Sequence, residues 1–185
     1  MPRITLVRHG QAAAGWGDDL DPGLSPVGRE QAARAADALA AMLEPQPIIC
    51  SPLRRCQETA APLARRWGVT PIVDAAVGEI VSPADQAGLD ARGAWLRAAM
   101  QGRWADLGDE HHRWRDDVLD RVRRCDVDTV IHSHFVAINV VVGAALGDDR
   151  MVCFAPDNCS WTVVDVDDGR LELVSLGEQA TTEVR

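Results

Sequence analysis

The chain has 185 residues, 46% of them hydrophobic and 25% charged, and carries a formal net charge of −9 at pH 7. That length suits one domain able to bury a real core without staples. The acidity disfavours nucleic acid and anionic membrane as partners. No apolar run approaches the ~20 residues that span a bilayer, and residues 1–7 lack the basic start and longer apolar stretch of a signal peptide. Five scattered cysteines (Cys50, Cys56, Cys125, Cys153 and Cys159) form no C-x-x-C pair. They point to reduced thiols in a cytoplasmic protein rather than to disulfides or structural zinc. The nineteen basic residues are all arginine, a fork suited to bidentate phosphate binding, but so complete a lack of lysine reads more simply as genome composition.

In chain order, Ile4-Thr5-Leu6-Val7 is a short apolar run of the buried-strand type. After a Gly/Asp/Pro-rich stretch, Ser25-Pro26 supplies an N-cap and a first-turn proline. Ala32, Ala35, Ala36, Leu39, Ala40 and Leu43 then follow at helical spacing, stopping before Pro45. Pro47-Ile48-Ile49-Cys50 predicts a second strand, and residues 53–67 a helix closed by Gly68. Residues 69–73 predict a third strand despite Pro71 inside it. Residues 82–124 are helical and polar, broken by glycines, with Asp109/Arg113, Asp117/Arg121 and Asp120/Arg124 at the i,i+4 spacing of solvated faces. Thr129-Val130-Ile131 predicts the next strand and residues 137–146 an apolar helix ending at Gly147. Two final strands flank Asp167-Asp168-Gly169, a hairpin signal. The order predicts a three-layer α/β fold: a mostly parallel sheet, helices on both faces and at least one antiparallel strand. One domain over residues 1–185 is expected, with 82–124 as a helical excursion from it.

Three of these strands end in basic residues: Arg8-His9-Gly10-Gln11, Ser51-Pro52-Leu53-Arg54-Arg55, and His132-Ser133-His134. Ligands of open α/β sheets bind outside the carboxyl ends of the strands, so these segments can build the positive pocket that the overall charge lacks. Leu6-Val7-Arg8-His9-Gly10-Gln11 resembles the R-H-G signature of the histidine phosphatase superfamily, the phosphoglycerate-mutase-like group. The segment from Ser51 through Arg55-Cys56-Gln57-Glu58-Thr59-Ala60 is similar to that family's S-x-L-x-R-A-x-Q-T-A. Ser133-His134 resembles its second histidine, and Leu24-Ser25-Pro26-Val27-Gly28-Arg29-Glu30-Gln31-Ala32 its helix entry. The tripeptide alone is a weak match; the set, in family order over about residues 4–147, is highly specific.

The resemblance implies that His9 is the nucleophile and that Arg8, Arg55 and His134 hold the phosphoryl oxygens. An acid follows the second strand in that family, and Glu79 stands at its position, with Asp74 and Asp85 as nearby competitors. Gln11 is a candidate substrate contact. No cofactor and no metal are required, because arginines meet the phosphoryl charge. A neutral imidazole beside cationic groups is a competent nucleophile. A protonated carboxyl can supply the leaving group's proton and then activate water. Two positions depart from the family: Gly15 replaces an asparagine and Phe135 a glycine.

Each residue also has a plainer reading. His9 could be an ordinary strand-end histidine, and Arg54 and Arg55 solvated side chains. An unpaired cation near a positive helix end is unfavourable without an anion, which favours an anion site. His132 and His134 could be metal ligands, but no carboxylate and histidine cluster completes a set; His132 is expected in the core. His111 and His112, amid charges, are expected to be solvated. Trp16, Trp95, Trp104 and Trp114 are pocket-wall candidates that could equally be packing residues. The expected function is hydrolysis of a small phosphomonoester through phospho-His9. The alternatives are a phosphoglycerate-mutase-like phosphotransferase and a phosphoryl-binding module with little turnover.

Overall fold

The computed structural model describes residues 1–15, 19–86 and 88–180; Trp16 lies outside the described residues. Strand β1 (Arg3–Arg8), helix α1 (Pro26–Met42), β2 (Ile48–Cys50), α2 (Arg54–Trp67) and β3 (Ile72–Val73) form the first part. Helices α3 (Leu89–Ala99) and α4 (Asp109–Arg123) follow, then β4 (Thr129–Ser133), α5 (Phe135–Leu146), β5 (Trp161–Asp167) and β6 (Arg170–Ser175). The six strands make one sheet in the order β3-β2-β4-β1-β5-β6. β3, β2, β4 and β1 run parallel to one another, while β5 is antiparallel to both β1 and β6. No helix among the described residues is long and apolar enough to cross a membrane.

The central strands are buried on both faces, which explains their continuous apolar runs. Ile4, Leu6, Ile49 and Ile131 pack on one side with α5 and the inner face of α4. Val7, Ile48, Cys50 and Val130 pack on the other with Ala36 and Leu39 of α1 and Ala60 and Leu63 of α2. Local signals were followed closely. The Ser25 hydroxyl caps α1 by accepting from Gly28 N, and Gly68 and Gly147 end α2 and α5 in the left-handed conformation. Asp168 and Gly169 both have positive φ, 46° and 77°, as a two-residue turn matched to strand twist requires.

Four expectations need revision. The third strand has two residues rather than five, starting after Pro71, because a residue without an N–H cannot join the ladder there. The apolar helix α5 begins at Phe135, two residues earlier than its pattern indicated. Residues 82–124 resolve into α3, α4 and two 3-10 turns (Ala84–Gln86 and Trp104–Asp106). Of the three anticipated pairs there, Asp120–Arg124 forms at 3.5 Å, whereas Arg121 turns instead to Asp74 at 2.6 Å. His111 is buried rather than solvated; its ring stacks on Trp95 and its Nε2 bonds the Val81 carbonyl at 3.0 Å. His112 likewise bonds the Trp104 carbonyl. Trp104 is fully buried and stacks on Trp114, so these tryptophans are packing residues.

Candidate active site

The register sets the site. Arg8 pairs with Ser133 and Cys50 with His132, so His9, Ser51 and His134 leave three neighbouring parallel strands at nearly one level. Backbone bonds continue past the strand ends: His9 N donates to Ser133 O at 3.0 Å and Ser51 N to His132 O at 3.1 Å. Two motif glycines are steric necessities. A Cβ on Gly10 would lie 2.6 Å from Gly28 O, and one on Gly28 would lie 2.1 Å from Gln11 O. The first turn of α1 therefore rests directly on the chain after His9.

His9 Nδ1 lies 2.8 Å from its neighbour's carbonyl, Gly10 O. A carbonyl only accepts, so Nδ1 carries the hydrogen and Nε2 keeps its lone pair. Arg55 Nε donates to that Nε2 at 3.2 Å. Burial first, then the charges of Arg55 and Arg8, push the His9 pKa well below the ordinary histidine value. The imidazole is thus held neutral, with the Nε2 lone pair directed at Arg55.

Arg8 is buried, with Nη1 donating to Pro156 O at 2.8 Å. Its Nε is buried without a partner among the described residues, a donor that an anion could satisfy. The guanidinium lies 5.2 Å over the Phe135 ring, so the Phe135 departure provides a cation–π platform. His134 is fully buried and packs edge-on against His9 at 5.1 Å. Its Nε2 shares a 2.8 Å hydrogen bond with Ser51 Oγ, and the Cys56 thiol lies 3.3 Å away. Burial holds that thiol largely protonated by raising its pKa well above the usual value.

Glu79 is buried beside the same cations. Its Oε1 accepts from Ile80 N at 3.0 Å and its Oε2 from Val136 N, in the first turn of α5, at 3.4 Å. Burial pushes its pKa up, against the opposing pull of those bonds and of Arg55 and Arg8. Its competitors are engaged elsewhere or outward. Asp74 pairs with Arg121 and caps a 3-10 turn, and Asp85 is exposed.

A cavity of about 590 Å³ opens over Arg8, His9 and Arg55, with Gln11 and Gly15 in its lining. Gln11 is exposed there, tied by its Oε1 to Ser25 Oγ at 2.8 Å. His134 and Glu79 stand behind this lining rather than in it. His132, two residues below His134, is buried, and neither ring nitrogen has a partner among the described residues. Among the described residues no group of three or more His, Cys, Asp or Glu is arranged to hold a metal.

Several contributors carried no clear sequence signal. Asn158 Nδ2 donates to His9 O at 2.9 Å, and Pro156 holds Arg8; both precede β5. Because β5 is antiparallel to β1, its start lies beside the end of β1, which only the pairing reveals. The buried Asn139 of α5 anchors this loop, its Oδ1 accepting from Cys153 N and Phe154 N. Arg92 of α3 also lines the cavity; as one arginine in a polar helix, it looked like any other.

Comparison with known proteins bears on the fold and the family. A glucosyl-3-phosphoglycerate phosphatase of Mycolicibacterium vanbaalenii is 37% identical over 132 residues, 64% of this chain. The match spans 56% of that relative, little more than half its length. A mycobacterial glucosyl-3-phosphoglycerate phosphatase solved in complex with VO3 superposes with a TM-score of 0.73 at 26% identity, covering 97% of this chain and 100% of that one. An Entamoeba histolytica phosphoserine phosphatase, solved with 3-phosphoglyceric acid, shares the fold at a TM-score of 0.75 and 18% identity over 97% of this chain and 98% of its own. The model of the histidine phosphatase superfamily (branch 1) matches residues 4–179, nearly end to end, and the chain belongs to that superfamily.

Proposed function

We propose that the chain is a metal-independent phosphomonoesterase that moves a phosphoryl group from a small phosphorylated metabolite to His9 and then to water. The observation that carries this is the 3.2 Å bond from Arg55 Nε to the lone pair of His9 Nε2, beside an Arg8 Nε that has no partner among the described residues. A nucleophilic nitrogen inside a guanidinium cage suits phosphorus with three anionic oxygens. The relatives' names, glucosyl-3-phosphoglycerate phosphatase, support the same chemistry. The free cysteines support a cytoplasmic setting.

On substrate entry Arg55 turns from Nε2 to the phosphoryl oxygens, and Arg8 Nε gains its missing acceptor. Nε2 attacks phosphorus in line; the P–N bond forms as the ester P–O bond breaks. Glu79, whose pKa burial raises, gives a proton to the leaving oxygen. As carboxylate it then takes a proton from water, which attacks phosphorus, breaks the P–N bond and releases phosphate. His134, neutral through burial and the nearby positive charges, orients His9 and joins the phosphoryl contacts when its Ser51 bond opens.

Acid-labile, base-stable phosphoprotein should accumulate when the enzyme is quenched during turnover. It should be absent from His9→Ala, whose phosphate release falls by about 10⁴-fold or more. Activity should survive EDTA. One observation favours a second reading, a phosphoryl-binding module: both Glu79 oxygens are bonded and the residue stands behind the cavity lining. That reading requires vanadate binding without phosphate release from any ester.

A further inference from the structure

We propose that His111 is a positioning residue for Glu79, holding the segment that carries this acid against helix α4; this rests on the phosphatase reading and deepens its acid step. Glu79 lies outside every helix and strand, two residues after a 3-10 turn (Ala75–Val77). No ladder or helix therefore fixes its backbone. Side chains from other elements hold the segment instead. Arg121 Nε donates to Asp74 Oδ2 at 2.6 Å, Ser133 Oγ to the Val77 carbonyl at 2.7 Å, and His111 Nε2 to the Val81 carbonyl at 3.0 Å. Arg121 and His111 both belong to α4, ten residues apart, which is roughly 15 Å along a helix. One rigid element thus grips the acid's segment at both ends. Ser133 ties its middle to the nucleophile, because its carbonyl accepts from His9 N at 3.0 Å.

The His111 end is the one on which the Glu79 carboxyl depends. The next residue, Ile80, is buried in the core, and its N–H donates to Glu79 Oε1 at 3.0 Å. Beyond it the Val81 side chain is exposed, so packing does not set the direction the chain takes there. The carbonyl bond to His111 does. A carbonyl only accepts, so His111 Nε2 carries the hydrogen. The ring is buried and stacks on Trp95 of α3 at 5.0 Å between centroids, which makes it a fixed donor. Its Nδ1 lies 3.8 Å from Glu110 Oε1 and makes no hydrogen bond among the described residues, leaving the Val81 bond to orient the imidazole. A general acid must lie within hydrogen-bond reach of the leaving oxygen, and a misplacement of about 1 Å can cost on the order of 10²-fold.

Two esters isolate the acid step: glycerol 3-phosphate, whose alkoxide leaves only with a proton, and p-nitrophenyl phosphate, whose phenolate leaves without one. Their kcat/KM values report transfer to His9. His111→Phe keeps a stacked ring and removes the donor. It should lower kcat/KM for glycerol 3-phosphate by about tenfold and leave that for p-nitrophenyl phosphate within about twofold. His111→Gln, whose amide nitrogen reaches the place of Nε2, should restore most of the loss. Equal losses on both esters, or none, overturn the proposal, as does a glutamine variant no better than the phenylalanine one. If His111→Phe does not fold, His111→Asn, too short to reach Val81 O, decides by the same ratio. Glu79→Gln should give the same ester-selective loss; if it does not, or if no ester is turned over, the acid assignment fails instead. The carboxyl ¹³C resonance of Glu79, identified by its absence from Glu79→Gln, then decides the role of His111. It should move in His111→Phe and return in His111→Gln, and an unmoved resonance overturns the proposal.

Discussion

The strand-end site and the wall over residues 82–124 are built to different standards. At the ends of β1, β2 and β4, backbone bonds tie one strand to the next beyond the sheet, and Gly10 and Gly28 leave no room for a methyl group. Arg8, His9, Arg55 and His134 are all buried there. In the wall, Gly88 and Gly108 occupy the N-caps of α3 and α4 without any side-chain cap. Its polar faces are exposed, and it is held by an inner stripe of Leu96, Val118, Leu119 and Val122. Groups that must meet phosphorus within tenths of an ångström need the first kind of support. Groups that select a metabolite can stand on the second, where change costs little stability.

This contrast can be broken or sharpened. After the loss of His9 itself, the largest effect is expected from Glu79→Gln, a loss of about 10²–10⁴ in kcat for esters with poor leaving groups. Glu79 must be protonated to act as the acid, and burial raises its pKa. Wild-type activity should therefore decline as pH rises through that raised value, and the variant's pH profile should lose this limb. Arg55→Ala should cost about 10²–10³ in rate. Because Arg55 lowers the His9 pKa, its loss should also move the acid limb of kcat/KM to higher pH. An Arg55 variant with an unmoved limb would break the assignment of His9 as the neutral nucleophile.

The next effect concerns stability. Burial lowers the His132 pKa from 6.5 to about 3, so the unfolded chain takes up this proton first. The stability this neutral ring confers is present above pH 6.5 and lost as pH falls toward 3. At about 1.4 kcal/mol per pH unit, the loss between pH 6.5 and 5 is about 2 kcal/mol. Urea midpoints at pH 7.5 and 5 should show it, and His132→Leu should reduce the dependence by that amount. The smallest effect belongs to the wall. Asp120→Ala breaks exposed pairs with Arg123 and Arg124 and should shift stability by no more than about 0.5 kcal/mol, with phosphate release unaltered. A larger cost would show that the wall is as tightly built as the site.

The amino-acid order alone determined whatever depends on neighbours in the chain. Ser25-Pro26 begins a helix, Gly68 and Gly147 end helices, and Asp168-Gly169 turns a hairpin, because capping and left-handed backbone are local matters. Arg8-His9-Gly10 and His134 follow apolar runs that mark strand ends, while Arg55, in the first turn of α2, stood out through the resemblance to the histidine phosphatase motif. The tertiary structure alone decided which strand ends adjoin, and with that the approach of Asn158 and Pro156 to His9 and Arg8. It also decided that His111 is buried, that Phe135 supports Arg8, and that Arg92 lines the cavity. None of these follows from a neighbour in sequence; each arises when segments tens of residues apart share one desolvated space, where a side chain's charge and partners are set by what else is folded against it.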